Sequence, residues 1–470
     1  MISVERQGFN FPNDAGDHPY RTLPNKAAPM SRGRRSPVAR GFHRNLVTTL
    51  IFSKQRGSDI GSAPMTSAPT ETTQLIDRAN RVLIGNYARI PTVMVRGQGS
   101  RLWDADGHEY LDLFAGFGGC VLGHCHPALV AAATEQAQKL WHVGNTYHTV
   151  PQIELAERLN RFAFTGQAFF CHSGAEANEA ACKLARLAGN LHSPKRWKII
   201  SLNKSFHGRT MAMIAATGNP AVKAGFEPAT PGFIQVEPGN FDALASAVDD
   251  ETAAVLLEPI QGEGGINTYP ADYPARVRQL CDQRKISLIF DEVWTGCGRT
   301  GNWFGHQSFR TEDGSPVIPD IMTLGKAIGG GLPVGVMFAR PDIARLLIPG
   351  KHGCTLGGNP ICMSVARTIF DVIERENLLA HAKDLGEYAI AHLAADKSIQ
   401  SKLQSVRGQG LFLGIELKET PTKFVERALG VGIITNVTAQ KVIRLAPPIN
   451  IAKSDWQRGL DLLVQTIAAS

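Results

Sequence analysis

From about residue 120 of this 470-residue chain, short apolar runs alternate with longer stretches of helical period. The runs are Trp197–Leu202, Ala253–Leu257, Ser287–Phe290 and Ile321–Leu324. Near-continuous apolar strands separated by helices belong to a mainly parallel sheet covered on both faces, so the pattern predicts an α/β domain. Upstream, TVMVRGQGSRLWDADGHEYLDLF alternates apolar and polar residues, with Asp106-Gly107 at a hairpin turn, which predicts a small antiparallel unit. Beyond about residue 360, helical segments, the alternating run Leu411–Leu417 and the run Val442–Leu445 predict a second, smaller α+β unit. The expected division is a large domain over residues 119–355 and a small domain built from 65–118 and 356–470. A hydrophobic content of 43% is ample for both cores.

The net charge of +7 first suggests a polyanionic partner. Its distribution argues otherwise, because residues 1–70 hold ten Lys and Arg against four Asp and Glu and leave the body near neutral. No nucleic-acid or membrane partner is expected. Residues 1–64, rich in Gly, Pro, Ser and Arg, read as a disordered basic extension, with Glu5, Asp14 and Asp17 weighing against a targeting peptide. Met65 is an alternative start, since an amphipathic stretch follows it. Eight cysteines without a C-x-x-C pair fit a reducing, cytoplasmic setting, and no apolar run is long enough to span a bilayer.

In open α/β sheets functional groups gather at the carboxyl ends of the strands, where Glu258, Asp291 and Lys326 fall. Taken singly, each reads as a solvated or helix-capping charge. The context of Lys326 differs, because TLGKAIGGGLPVG sets one lysine between an apolar strand and glycines that let a backbone approach a ligand closely. A desolvated lysine loses its proton and bonds covalently to an aldehyde, and pyridoxal 5'-phosphate is the obvious one. That cofactor withdraws electrons while its ring nitrogen stays protonated, which calls for a buried carboxylate, here Asp291. In HSGAEANEAACKLARLAG a Ser-Gly-Ala turn opens a helix, and the N–H groups of Gly174 and Ala175 can hold a phosphate dianion. The plain alternative is a capped helix, with Ser173 at the cap and Glu176 in the first turn.

SGAEANEAACKLAR, SFHGRTMAM, LLEPIQGEGGI, IFDEVWTGCGRTG, TLGKAIGGGLPVG, HGCTLGGNP and VRGQG occur in the order seen in class III aminotransferases. The chain resembles that family from about Tyr87 to its end, and LWHVGNTYHTVPQIELAERL, GQAFFCHSGAEANEAA and ITNVTAQKVIRLAPPINI are most similar to the acetylornithine aminotransferases within it. The resemblance implies a fold-type-I homodimer, with a seven-stranded-type sheet in the large domain and active sites at the subunit interface. It implies that Lys326 carries the cofactor, Gly174 and Ala175 hold its phosphate, Phe206 stacks on its ring, and Asp291 meets the ring nitrogen. Thr355 would reach the neighbouring subunit's phosphate. For substrates it implies Arg407 on the α-carboxylate of glutamate or 2-oxoglutarate, Glu263 shielding that arginine in the other half-reaction, and Arg209 on the carboxylate of N2-acetylornithine.

Two positions depart from the family: Trp294 stands where Gln is usual, beside the cofactor's phenolic oxygen, and Cys354 where Ser is usual, near the substrate. An indole N–H still donates one hydrogen bond, but its bulk reshapes the pocket. The resemblance implies transamination of N2-acetylornithine with 2-oxoglutarate. Another ω-amine, such as ornithine, 4-aminobutyrate, succinylornithine or putrescine, is the alternative, and a cofactor-free interaction protein the remote one. The His-x-His of GHCHP reads as a turn before a Pro-started helix rather than as a metal site, and the glycine clusters near 98 and at 329–331 form no dinucleotide fingerprint. No metal is expected.

Overall fold

The computed structural model describes residues 70–469, so the readings of residues 1–64 lie outside the described residues. A seven-stranded sheet organises the chain. Across it the strands run Gln167–Cys171, Gly335–Ala339, Ile321–Leu324, Ser287–Asp291, Thr252–Leu257, Lys198–Leu202 and Phe233–Val236. Every pairing is parallel except the two made by Gly335–Ala339, which is antiparallel to both neighbours. The mainly parallel α/β sheet expected from the sequence is present.

The interior strand Thr252–Leu257 is buried at every position, and its side chains alternate between two cores. Ala254 and Leu256 face the cluster that holds Ala180, Ala181 and Leu184 of the helix Gly174–Gly189. Val255 and Leu257 face Val277 and Cys281 of the helix Tyr273–Arg284. Each fully buried Leu or Val contributes roughly 1.5–3 kcal/mol relative to exposure. The alanine-rich face of Gly174–Gly189 lets that helix sit close on the sheet. Its N-terminus thereby comes to the carboxyl ends of the strands.

The antiparallel unit also forms, from Met94–Gln98, Arg101–Asp104 and Glu109–Asp112. The Asp104 carboxylate accepts from the backbone N–H of Asp106 (3.1 Å) and His108 (2.8 Å), closing the turn around Gly107, whose φ is +88°. Ile433–Ile434 joins Glu109–Asp112 as a parallel strand, so segments from both ends of the described chain share one sheet. A second four-stranded sheet contains Leu403–Gln409, Phe412–Leu417, Val442–Leu445 and Asn436–Thr438, all antiparallel.

After Asp112 the chain takes an unusual course. Ala115, Gly116, Phe117 and Gly118 all have positive φ, a single left-handed turn. Such a turn costs about 1–2 kcal/mol for each non-glycine residue. Asp112 holds it, accepting from the N–H groups of Phe114 (2.9 Å) and Ala115 (2.8 Å), while its other oxygen lies 2.8 Å from His124 Nε2. His126 caps the helix Pro127–Lys139, which has Pro at its first position. Both histidines of GHCHP are thus occupied in a turn and a helix start.

Candidate active site

Lys326 follows the strand Ile321–Leu324 and opens a short 3-10 turn with φ of 45°, a strained conformation for a non-glycine residue. Burial lowers the pKa of its amine to about 8, against the opposing pull of Asp291, Glu263 and Glu258. An appreciable fraction of the amine is therefore neutral near pH 7. Asp291, buried at the end of Ser287–Asp291, is fixed through both oxygens. Oδ2 accepts from Asn178 Nδ2 (2.7 Å) and His207 Nδ1 (2.8 Å), and Oδ1 accepts from the N–H of Val293 (3.1 Å). The far ring nitrogen of His207, Nε2, is buried and has no partner among the described residues.

At the helix N-terminus both readings of the Ser-Gly-Ala turn are realised together. Ser173 Oγ accepts from the N–H of Glu176, and Glu176 Oε2 accepts from Ser173 Oγ and the N–H of His172, a reciprocal cap. The cap leaves Gly174 and Ala175, whose N–H groups have no intrahelical acceptor. Both line a cavity of about 360 Å³ together with Phe206, Arg209, Asp291 and Lys326. Glu258 braces that cavity from behind: its carboxylate accepts from the N–H of Phe206 (2.9 Å) and Gly262 (3.0 Å), and burial, aided by Asp291, pushes its pKa up to about 7.

A second cavity, of about 700 Å³, shares Phe206 and Arg209 with the first and adds Glu263 and Arg407. Arg209 is exposed, with its guanidinium 5.4 Å from the Phe206 ring and no hydrogen-bond or ion-pair partner among the described residues. The structure corrects the expected pairing of Arg407 with Glu263. Arg407 gives Nε to the carbonyl of Ile266, Nη1 to Ser405 Oγ and Glu416 Oε2, and Nη2 to the carbonyl of Gly265 and to Asn267 Oδ1. Those contacts account for its five donors. Arg407 pins the loop that carries Glu263 and has none left for a substrate carboxylate.

Glu263 instead pairs with Arg444, Oε1 to Nη1 at 2.7 Å, and sequence reasoning missed this residue. Arg444 is almost wholly buried in the strand Val442–Leu445, also donating to the carbonyl of Gly262 and to Asn436 Oδ1, while its Nε has no partner among the described residues. The available signal was a charge inside VIRL, since a buried arginine needs a countercharge.

Trp294 packs against both Lys326 and Arg444, with Lys326 Nζ 4.3 Å and the Arg444 guanidinium carbon 4.6 Å from its ring centroid. It stacks on Phe412 at 5.1 Å. Room for the indole comes from two glycines: a Cβ on Gly262 would meet it at 2.4 Å and one on Gly118 at 2.8 Å. Its Nε1 is buried and has no partner among the described residues. Cys354 lines neither cavity itself, but its Sγ lies 3.4 Å from Nδ1 of His172, which lines the cofactor cavity. Thr355 is exposed and also outside both cavities.

A depressed lysine at a strand end, a fixed buried carboxylate and free helix N–H groups around one cavity define a pyridoxal-phosphate site. The orphaned Nε1 of Trp294, on a ring beside Lys326, leaves a buried donor that a bound group would satisfy. The family model for aminotransferase class-III matches residues 84–467, and the chain belongs to that family. An acetylornithine aminotransferase of Myxococcus xanthus is 42% identical over 388 residues, covering 81% of this chain and 94% of its own. One from Nitrosomonas europaea is 43% identical over 378 residues, covering 80% and 95%. Among solved structures, an ornithine aminotransferase of Toxoplasma gondii, described with PLP at its active site, superimposes with a TM-score of 0.79 at 30% identity, covering 85% of this chain and 95% of that one. An N-acetylornithine aminotransferase of Stenotrophomonas maltophilia gives 0.70 at 35% identity, covering 84% and 98%. The enzyme is an aminotransferase, and its cofactor is pyridoxal 5'-phosphate.

Proposed function

We propose that the enzyme transfers the distal amine of N2-acetylornithine to 2-oxoglutarate, giving N-acetylglutamate 5-semialdehyde and glutamate in two half-reactions through one site. The observation that carries this reading is the pairing of Glu263 with Arg444. A distal amine brings no carboxylate to its reacting carbon, and Glu263 then neutralises an otherwise uncompensated buried cation. When the α-carboxylate of 2-oxoglutarate arrives it takes the guanidinium, and Glu263, about a quarter exposed, turns aside. Arg209, exposed and unpaired, receives the carboxylate of N2-acetylornithine.

Bound pyridoxal phosphate supplies an aldehyde and an electron-withdrawing ring. Around it Gly174 and Ala175 would hold the phosphate, Phe206 would lie against the ring, and Asp291 would meet the ring nitrogen. Lys326, freed when the substrate's amine displaces it, would take up and return a proton at Nζ, a role its depressed pKa suits. The resemblance also supports a cytoplasmic homodimer acting in arginine biosynthesis, with Thr355 of each subunit serving the other's phosphate. The expected large domain over 119–355 and small domain from 65–118 and 356–470 belong to the same reading.

The test is the absorbance of the cofactor-loaded protein. N2-acetylornithine should abolish the visible band and 2-oxoglutarate should restore it; an unchanged spectrum after the amine discards this donor. Lys326→Ala should lose multiple turnover, and retained turnover would overturn the mechanism. The bulk of Trp294 and the likeness to an ornithine aminotransferase favour ornithine as the second donor to compare by kcat/KM.

A further inference from the structure

We propose that Cys354, His172 and Glu176 form a binding site for one borderline divalent cation, best matched by Zn2+, at the lip of the cofactor cavity. The donor atoms come from separate segments: His172 and Glu176 from the start of the helix Gly174–Gly189, and Cys354 from a loop far along the chain. Cys354 Sγ lies 3.4 Å from His172 Nδ1, which lies 3.0 Å from Glu176 Oε1, and all three donor atoms fall within 4.8 Å of one another. Tetrahedral zinc with ordinary ligand distances sets neighbouring donors roughly 3.3–3.6 Å apart. The side chains therefore need only small adjustments to close on an ion.

Both segments are already held. The helix cap occupies Glu176 Oε2, while Oε1 meets His172 Nδ1 at 3.0 Å in a hydrogen bond that the ion would replace by ligating both atoms, and Asn145 Nδ2 fixes the Cys354 segment by donating to the carbonyls of Cys354 and Gly357, each at 2.8 Å. One thiolate, one imidazole and one carboxylate suit zinc or cobalt over the harder magnesium or calcium. On binding, the thiol proton leaves to solvent as the metal–sulfur bond forms, and water fills the fourth position, since all three residues are half-buried. His172 also lines the cofactor cavity, so a bound ion would join the Cys354 loop to the turn that carries Gly174 and Ala175.

The test uses the reduced, metal-free, cofactor-loaded chain titrated with Co2+. A near-ultraviolet thiolate charge-transfer band with visible bands of four-coordinate cobalt is expected at one equivalent, displaced by Zn2+. Cys354→Ser should remove the charge-transfer band, with folding checked by circular dichroism. His172→Asn should weaken binding by more than the roughly tenfold typical of losing an outer-shell contact. X-ray absorption of the zinc-loaded wild-type chain, which depends on no variant, should show one sulfur among nitrogen and oxygen neighbours. A sulfur-free shell, or a thiolate band intact in Cys354→Ser, would overturn the site. Neither result depends on which amine the enzyme uses.

Discussion

Arg407 and Arg444 divide two tasks that the sequence alone assigned to one residue. Removing Arg444 deletes a charge-assisted contact to the incoming carboxylate, so Arg444→Ala should lower kcat/KM for 2-oxoglutarate by about 2–3 kcal/mol, roughly 30- to 150-fold. Arg407→Ala should act mainly on stability, by about 1–3 kcal/mol, because it frees the loop around Gly265 and leaves Glu416 unpaired. Melting temperatures and steady-state kinetics on both variants separate the tasks, and the reverse pattern would restore Arg407 to the substrate. Lys326 yields a pH prediction. With its pKa lowered to about 8, the cofactor-free protein should recapture pyridoxal phosphate at a rate that rises through pH 8 and levels off above it, whereas an ordinary lysine would keep gaining towards 10.5. Gly262→Ala forces a Cβ to 2.4 Å from the Trp294 ring, so it should destabilise the fold by about 1–3 kcal/mol and shift the cofactor's visible spectrum.

At the scale of elements, the left-handed turn over Ala115–Gly118 persists because Asp112 and His124 hold it. Burial lowers the His124 pKa, but hydrogen bonding to Asp112 and contact with Cys120 outweigh that and push it up to about 10. A pKa raised on folding contributes stability that is complete below the unfolded value near 6.5 and is lost as pH rises through 10. Thermal stability should therefore decline across that window, and Asp112→Asn should lower it at neutral pH and flatten the decline. A pH profile of melting temperature for the two proteins reads both effects. The sequence foretold the elements that obey a period: the parallel strands, the hairpin at Gly107 and the capped helix at Ser173. It was silent on the left-handed turn, because AGFG carries no repeating pattern and its conformation is imposed by a carboxylate and a histidine outside it. For the same reason Lys326 and Asp291 were legible at strand ends, whereas Arg444 was not. Which cation meets Glu263 depends on how two distant strands and a loop pack, and VIRL alone reads as one charge on an apolar strand.

At the scale of the molecule, the large sheet brings the carboxyl ends of its parallel strands to one side, and the four-stranded antiparallel sheet near the C-terminal end supplies both Phe412 and Arg444, the neighbours of Trp294. The cofactor cavity and the larger cavity beside it meet at Phe206 and Arg209. A common wall has a kinetic consequence. Either reactant, in excess, reaches the form of the enzyme that awaits the other and finds an unpaired guanidinium there to hold its carboxylate. Double-reciprocal plots should run parallel at low concentrations and turn upward as 2-oxoglutarate is raised, with Arg209→Gln easing the upturn. The rate law of this enzyme would then include self-inhibition as a property of the doorway its two substrates share.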